Sequence, residues 1–254
     1  NNRSNALYLY GPINNWDTIN VTSMASAFSS SSFNEDIGEW DTRNVTNISS
    51  MFNTNYSFNH SLASREVTKH GRTYWSWDMR KLQNANSFCQ RPYQQHSNFY
   101  GYGLETWDVK SLRYAGSMFW GCRGFNGNLS TWNTQSLDQA NAMFQYCTPF
   151  TGRNGGDMNM KWLIHPHHGK TINGVYEPTW LYRTWDIDQV LRLEYWFMHT
   201  NFQCYSIVNW QPTRALNGSS GNNYQFRGTF SSTTFSQHLY DNGISLSLIH
   251  ISEP

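Results

Sequence analysis

Tryptophan recurs along this chain at a fixed phase, and a recurrence of that kind decides architecture before any single motif does. Trp16, Trp40, Trp77, Trp107, Trp132, Trp185 and Trp210 open the same pattern, at successive spacings of 24, 37, 30, 25, 53 and 25 residues. Asp follows at Asp17, Asp41, Asp78, Asp108 and Asp186, with Asn133 and Gln211 as the exceptions. An apolar residue stands three before the Trp at Ile13, Ile37, Leu104, Leu129 and Ile207, and a Phe or Leu seven before it at Leu9, Phe33 and Phe125. Downstream, apolar residues fall five, eight, eleven and twelve after the Trp. Val45, Ile48, Met51 and Phe52 show this, as do Leu112, Ala115, Met118 and Phe119; Leu137, Ala140, Met143 and Phe144; and Val190, Leu193, Trp196 and Phe197.

Those offsets run i, i+3, i+6, i+7, the inward stripe of a helix of about two turns. Asn20, Asn44, Ser111 or Ser136 stands just before it and reads as an N-cap. A helix so short is unstable alone, so neighbours must stabilise it by stacking. The run from Phe33 to Trp40 reads as an extended leg, and stacked copies would form a parallel sheet with a ~4.8 Å repeat. The expected fold is therefore α/β: a leucine-rich-repeat-like solenoid of seven or eight units, short parallel strands on one side and short helices on the other. Its buried core would hold Trp16, Trp40, Trp77, Trp107, Trp132, Trp185, Phe52, Phe119, Phe144 and Phe197.

A single repeat solenoid is expected over residues 1–240, with insertions near 63–75, 91–102 and 150–180. The 53-residue interval reads either as a long insertion or as a degenerate repeat centred on Trp162, and the second is favoured; His165–Pro178 is expected to project as an irregular arm. Residues 246–254 (LSLIHISEP) read as a non-native tail resembling translated adaptor read-through, and with no initiator Met the chain is expected to be an internal fragment.

The stretch Phe33 to Phe52, with Trp40-Asp41 and Met51-Phe52, resembles the repeat of BspA-like leucine-rich-repeat surface proteins, and the signature recurs at Phe125–Phe144. The repeats at Trp77 and Trp210 depart from it: Ala85 to Cys89 ends in Phe-Cys, and Pro212 to Gly221 has lost the stripe. The resemblance implies a solenoid displayed at a cell surface or secreted, used for adhesion or other protein contacts, with no catalytic activity and no cofactor.

The composition narrows the function classes further. Lys and Arg total 18 against 17 Asp and Glu, which lacks the basic excess of a nucleic-acid binder. No run approaches the ~18 apolar residues of a membrane span. Aromatic residues make up 17%, enough for a large core, and the polarity comes from 76 Asn, Ser and Thr, a composition suited to an extracellular surface. No nucleophile elbow, HExxH, P-loop or dinucleotide fingerprint occurs, so an enzyme is the least supported class.

Several residue sets could carry chemistry. The Asp column Asp17, Asp41, Asp78 and Asp108 could bind Ca²⁺, but Asx turns entering the next segment explain it better, since Asn133 and Gln211 substitute freely. Cys122 and Cys147 both lie fifteen after their Trp; they read as a small-residue ladder with Ser31, Asn55 and Thr200, or as a disulfide staple. Cys89 and Cys204 have no matching phase. His165, His167 and His168 cluster around Pro166 without the convergent geometry a metal needs, so no metal site is expected. Sequons stand at Asn2, Asn20, Asn44, Asn47, Asn55, Asn59, Asn128 and Asn217, several at positions the repeat already explains. The unphased Trp75, Trp120, Trp162 and Trp180 are the candidates for ligand contact, as a sugar-stacking platform. The expected partner is a protein or a glycan at a cell surface.

Overall fold

A computed structural model of the chain describes residues 3–91, 99–125, 127, 129, 131–147, 170–172, 175–177 and 194–195. Helix α1 (Arg3–Tyr10) opens the chain. An antiparallel hairpin follows, β1 (Glu66–Lys69) with β2 (Arg72–Trp75), in the register Val67 opposite Tyr74. A second antiparallel hairpin joins β3 (Lys170–Ile172) to β4 (Val175–Glu177), where the sequence suggested an irregular arm. Two single 3-10 turns, Ile13–Asn15 and Leu104–Thr106, lie just before Trp16 and Trp107.

The expected leucine-rich-repeat-like solenoid of parallel strands and short helices is overturned. Among the described residues the only strands belong to antiparallel hairpins, and no repeat segment is helical. What recurs is a stretch of consecutive turns. The reason lies in the backbone. Ser26, Ser50, Ser87, Ser117 and Ala142, each ten after its Trp, take left-handed φ between 53° and 58°. Ser30, Thr54, Gly121 and Tyr146, four residues further on, do the same. A left-handed residue every fourth position stops a right-handed helix from propagating.

The turns instead bond to one another across the repeat. Met24, Ser26, Phe28 and Ser30 donate N–H to the carbonyls of Asn47, Ser49, Met51 and Asn53 in the next unit, at 2.7–2.9 Å. Ile48, Ser50, Phe52 and Thr54 repeat this onto Asn84, Asn86, Phe88 and Gln90, and Ala115, Ser117, Phe119 and Gly121 onto Gln139, Asn141, Met143 and Gln145. Intervening residues such as Ala27 and Ser29 donate to the carbonyl three back in their own unit. Half of the N–H groups thus close turns and half tie unit to unit, which satisfies buried backbone without a strand ladder. Single parallel bridges mark the register through Ser23, Asn47, Asn84, Tyr114 and Gln139, all seven after a Trp. Ala142 donates to the carbonyl of Glu194, nine after Trp185, as Ser26 does to Ser49, nine after Trp40.

The residues read as N-caps have another use, since among the described residues no repeat segment after a Trp is helical. Asn44 Nδ2 donates to Ile19 O at 2.9 Å and Ser111 Oγ to Arg80 O at 2.8 Å, each reaching the preceding unit.

Three aromatic files form the core. Trp77 and Trp107 stack at 5.8 Å and Trp107 on Trp132 at 6.2 Å, all nearly parallel. Phe28 stacks on Phe52 and Phe119 on Phe144, each pair at 5.7 Å. Phe33, Phe58, Phe99 and Phe125 make the third file at 6.1–6.5 Å. Each interior indole N–H is satisfied by an apolar residue's carbonyl: Trp40 by Ile13, Trp77 by Ile37, Trp107 by Leu62 and Trp132 by Leu104, at 2.7–3.0 Å. Trp16 departs from the buried set. It is 42% exposed, held edge-on to Tyr10 with its N–H on the Tyr10 carbonyl. Its indole lies under no preceding aromatic of the file. Trp185 and Phe197 lie outside the described residues.

Candidate binding surface

The insertion at 63–75 leaves the repeat where its neighbours run directly from Ile37 to Trp40. Phe58 and Leu62 supply the aromatic and the carbonyl acceptor that Phe33 and Ile37 supply one unit earlier, and the hairpin then intervenes before Trp77. Alternation of burial along β1 and β2, with Val67 and Tyr74 inward, seats one face of the hairpin against the repeat.

Ion pairs fasten it to earlier units. Arg72 bonds both oxygens of Asp17, and its Nε lies 3.6 Å from Asp41 Oδ2. Lys69 Nζ reaches Glu39 at 2.9 Å and the Asn14 carbonyl at 2.6 Å. Tyr74 donates its hydroxyl to the Glu39 carbonyl at 2.7 Å, and the guanidinium groups of Arg43 and Arg72 lie 5.7 and 5.6 Å from its ring. Burial pushes the Tyr74 phenol up from its ordinary value. The Arg72 hydrogen bond draws the Asp17 carboxyl below its usual value.

This arrangement leaves Trp75 at the strand end, 56% exposed. It lines a cleft of about 460 Å³ together with Ser64, Asp78, Met79, Arg80, Thr106 and Asp108. Asp78 accepts from both Nε and Nη2 of Arg80, the closest approach being 2.5 Å. Burial alone would raise the Asp78 carboxyl, but hydrogen bonds from Arg80 outweigh it and hold the group below its usual value. The cleft therefore offers one apolar ring, fixed charges of both signs and two hydroxyls.

The other sequence candidates are placed differently. Trp120 is half-buried, its Nε1 on Gln145 Oε1 at 3.0 Å and its ring edge-on to Tyr146, and it does not line the Trp75 cleft. Trp162, Trp180, the cluster His165, His167 and His168, and Cys204 lie outside the described residues. The Asp column forms Asx turns: Oδ1 of Asp17, Asp41, Asp78, Asp108 and Asn133 each accepts the N–H two residues on, at 3.1–3.4 Å. Arginine or lysine also pairs with the carboxylates of Asp17, Asp41, Asp78 and Asp108, although Asp41 Oδ2 keeps only the 3.6 Å approach of Arg72. Among the described residues no three His, Cys, Asp or Glu side chains gather to hold a metal ion. The sequon residue Asn55 is buried with its amide engaged, whereas Asn20 and Asn59 are exposed.

Sequence reasoning did not find one recurrent contact. Among the described residues the carbonyl twelve after a Trp is met by a side chain of the following unit at several units: Phe28 O by Asn55 Nδ2, Cys89 O by Cys122 Sγ and Phe119 O by Cys147 Sγ. Phe52 O is met instead by Nη1 of the fully buried Arg91, at 3.0 Å, in the unit whose counterpart position is Pro92, which carries no donor. Tyr56 lies 5.3 Å beneath that guanidinium. The signal was present in the shared phase of Asn55, Cys122 and Cys147, but the direction in which those side chains reach was not.

Stacked turns, three aromatic files and one side-chain rung per unit define a repeat protein. The chain belongs to the family described as "Mycoplasma protein of unknown function, DUF285", whose model matches residues 4–88 and again 68–165, together more than half of the sequence. The two overlapping matches fit a chain built by repetition. No curated protein and no solved structure matches it. No helix among the described residues is long and apolar enough to cross a membrane.

Proposed function

We propose that the protein is a non-catalytic binding module, secreted or held at a cell surface, that mediates adhesion through contacts with a partner protein. The observation that carries this reading is the unit-to-unit backbone bonding from Met24 through Gly121, which fixes exposed side chains in a regular, pre-ordered array. An ordered surface binds without losing much conformational entropy, the advantage repeat proteins exploit. The likeness of Phe33 to Phe52 to BspA-like leucine-rich-repeat surface proteins supports it, and membership of the repeat family is consistent with that likeness. The test is adhesion of beads coated with the purified chain to a panel of immobilised extracellular-matrix and cell-surface proteins. Saturable binding that competes with free chain supports the reading; adhesion no greater than that of heat-unfolded chain on every surface refutes it.

A second reading, carbohydrate binding, is favoured specifically by the cleft at Trp75. An exposed indole can stack on the C–H face of a sugar ring while Asp78, Arg80 and Asp108 bond its hydroxyls. On a glycan array this reading expects hits that vanish with Trp75→Ala and survive Trp120→Ala.

A further inference from the structure

We infer that Cys89 and Cys122 are a disulfide pair that locks two successive repeats together. The repeat geometry brings them to one place. A side chain fifteen after its Trp reaches back to the residue twelve after the preceding Trp, as Asn55 does to Phe28 and Cys147 to Phe119. Where both positions are Cys, the later sulfur that reaches the earlier residue's carbonyl also comes beside its sulfur. Among the described residues this happens at Cys89 and Cys122. Cys122 Sγ lies 2.8 Å from Cys89 Sγ, inside the ~3.5–4.0 Å at which even carbon atoms sit in nonbonded contact. Both side chains are fully buried. Cys122 and Cys147, alike in phase, do not pair by this rule: each faces back along the stack, Cys147 Sγ toward Phe119 O at 2.7 Å and Cys122 Sγ toward both the carbonyl and the sulfur of Cys89.

Cys89 also breaks the core pattern. It occupies the position held by Phe52, Phe119 and Phe144 in other units. Phe99, of the third file, lies 6.5 Å from the rings of both Phe52 and Phe119. Arg91 Nη2 donates to Cys89 Sγ at 3.2 Å.

The chemistry balances with a small-molecule disulfide as oxidant. The Cys89 thiolate attacks one sulfur of that disulfide and expels a thiolate, leaving a mixed disulfide. Cys122 then gives its proton to the expelled thiolate and attacks the Cys89 sulfur, expelling the second thiolate. Two protons and two electrons leave the cysteines and two small thiols form. Because both sulfurs are enclosed in the folded chain, exchange takes place as the units close on each other. Such a bond persists in an oxidising compartment and so rests on the secreted or surface reading, whereas the capacity of the two sulfurs to pair is read by refolding with the oxidant supplied.

The experiment refolds the full chain with oxidised and reduced glutathione, blocks free thiols under denaturing conditions, and maps the proteolytic peptides with and without reductant. The expected result is one peptide pair, carrying Cys89 and Cys122, that separates on reduction. It should persist in Cys147→Ser and vanish in Cys122→Ser. Four alkylated cysteines in the parent chain, or Cys122 joined to Cys147 or Cys204, would overturn it. Should Cys122→Ser fail to fold, the parent and Cys147→Ser maps decide alone.

Discussion

The indole rings of Trp77 and Trp107 lie 5.8 Å apart with their planes within 2° of parallel, although thirty residues separate them in sequence. Each indole N–H is anchored on a different carbonyl, Ile37 for Trp77 and Leu62 for Trp107, so stacking and hydrogen bonding set the same position twice. Burying such a ring removes roughly 150–250 Å² from water, worth about 4–6 kcal/mol as an upper bound. Trp107→Ala is therefore expected to cost about 3–5 kcal/mol. Chemical denaturation reads this directly, and an unchanged midpoint would contradict the stack.

Arg72 is the hinge pin of the hairpin. Asp41 is almost wholly buried, and its Oδ2 and Arg72 Nε face each other at 3.6 Å without a full hydrogen bond to anything else. Arg72→Met should release β1 and β2 from Asp17 and Asp41 while leaving the aromatic files intact. Hydrogen exchange is the measurement: amides of residues 66–75 should lose protection while those of Ile48 to Phe52 keep theirs. Equal protection in both variants would show that Lys69 and Tyr74 suffice.

How much of this could be read beforehand depended on what the pattern encodes. The phase of Trp40, Trp77, Trp107 and Trp132, and the break between Ala63 and Trp75, were legible because recurrence does not depend on backbone conformation. The conformation itself was not. Val45, Ile48, Met51 and Phe52 are buried at helical spacing, yet turns closed three residues back give the same spacing. The residue that decides between them is Ser50, at a φ of 55°, and a left-handed Ser leaves no mark in sequence where a Gly would have. The Trp75 cleft was half visible. Trp75 stood out as unphased, but its neighbours Asp78 and Asp108 were assigned to the repeat, and only the return of the hairpin brings the three together.

Acid should destabilise the fold through Asp17 and Asp78. Both carboxyls are held below their usual value of 3.8 in the folded chain. A lowered folded value means the unfolded chain binds protons first as the pH falls. The stabilisation is thus complete above about pH 5, where both states are ionised, and is lost as pH drops through the folded values. The melting temperature should fall below pH 4 in the parent chain and fall less steeply in Asp78→Asn. An identical acid slope in the two proteins would remove Asp78 from the account.

Trp75→Ala should separate binding from stability. With more than half of its surface in water and no aromatic partner of its own, Trp75 adds little to the core, and its loss should move the unfolding free energy by no more than about 0.5 kcal/mol. Sugar binding, in the carbohydrate reading, should disappear with the same change. A large drop in stability would show instead that Trp75 is a packing residue of the hairpin.

Gly121 and Ser117 test the turn geometry against each other. Both are left-handed, at φ 71° and 53°. A Cβ at Gly121 would run into the Arg91 carbonyl oxygen, a backbone atom that must shift to admit it. Gly121→Ala therefore adds a backbone collision to the left-handed strain of roughly 1–2 kcal/mol, and the melting temperature should fall by several degrees. Ser117→Gly does the opposite. It relieves the same strain, and the greater freedom of Gly in the unfolded chain takes back about 0.5–1 kcal/mol, leaving a net gain of no more than about 1.5 kcal/mol. If both substitutions lowered the melting temperature equally, the left-handed residue would not be what turns the chain at these positions.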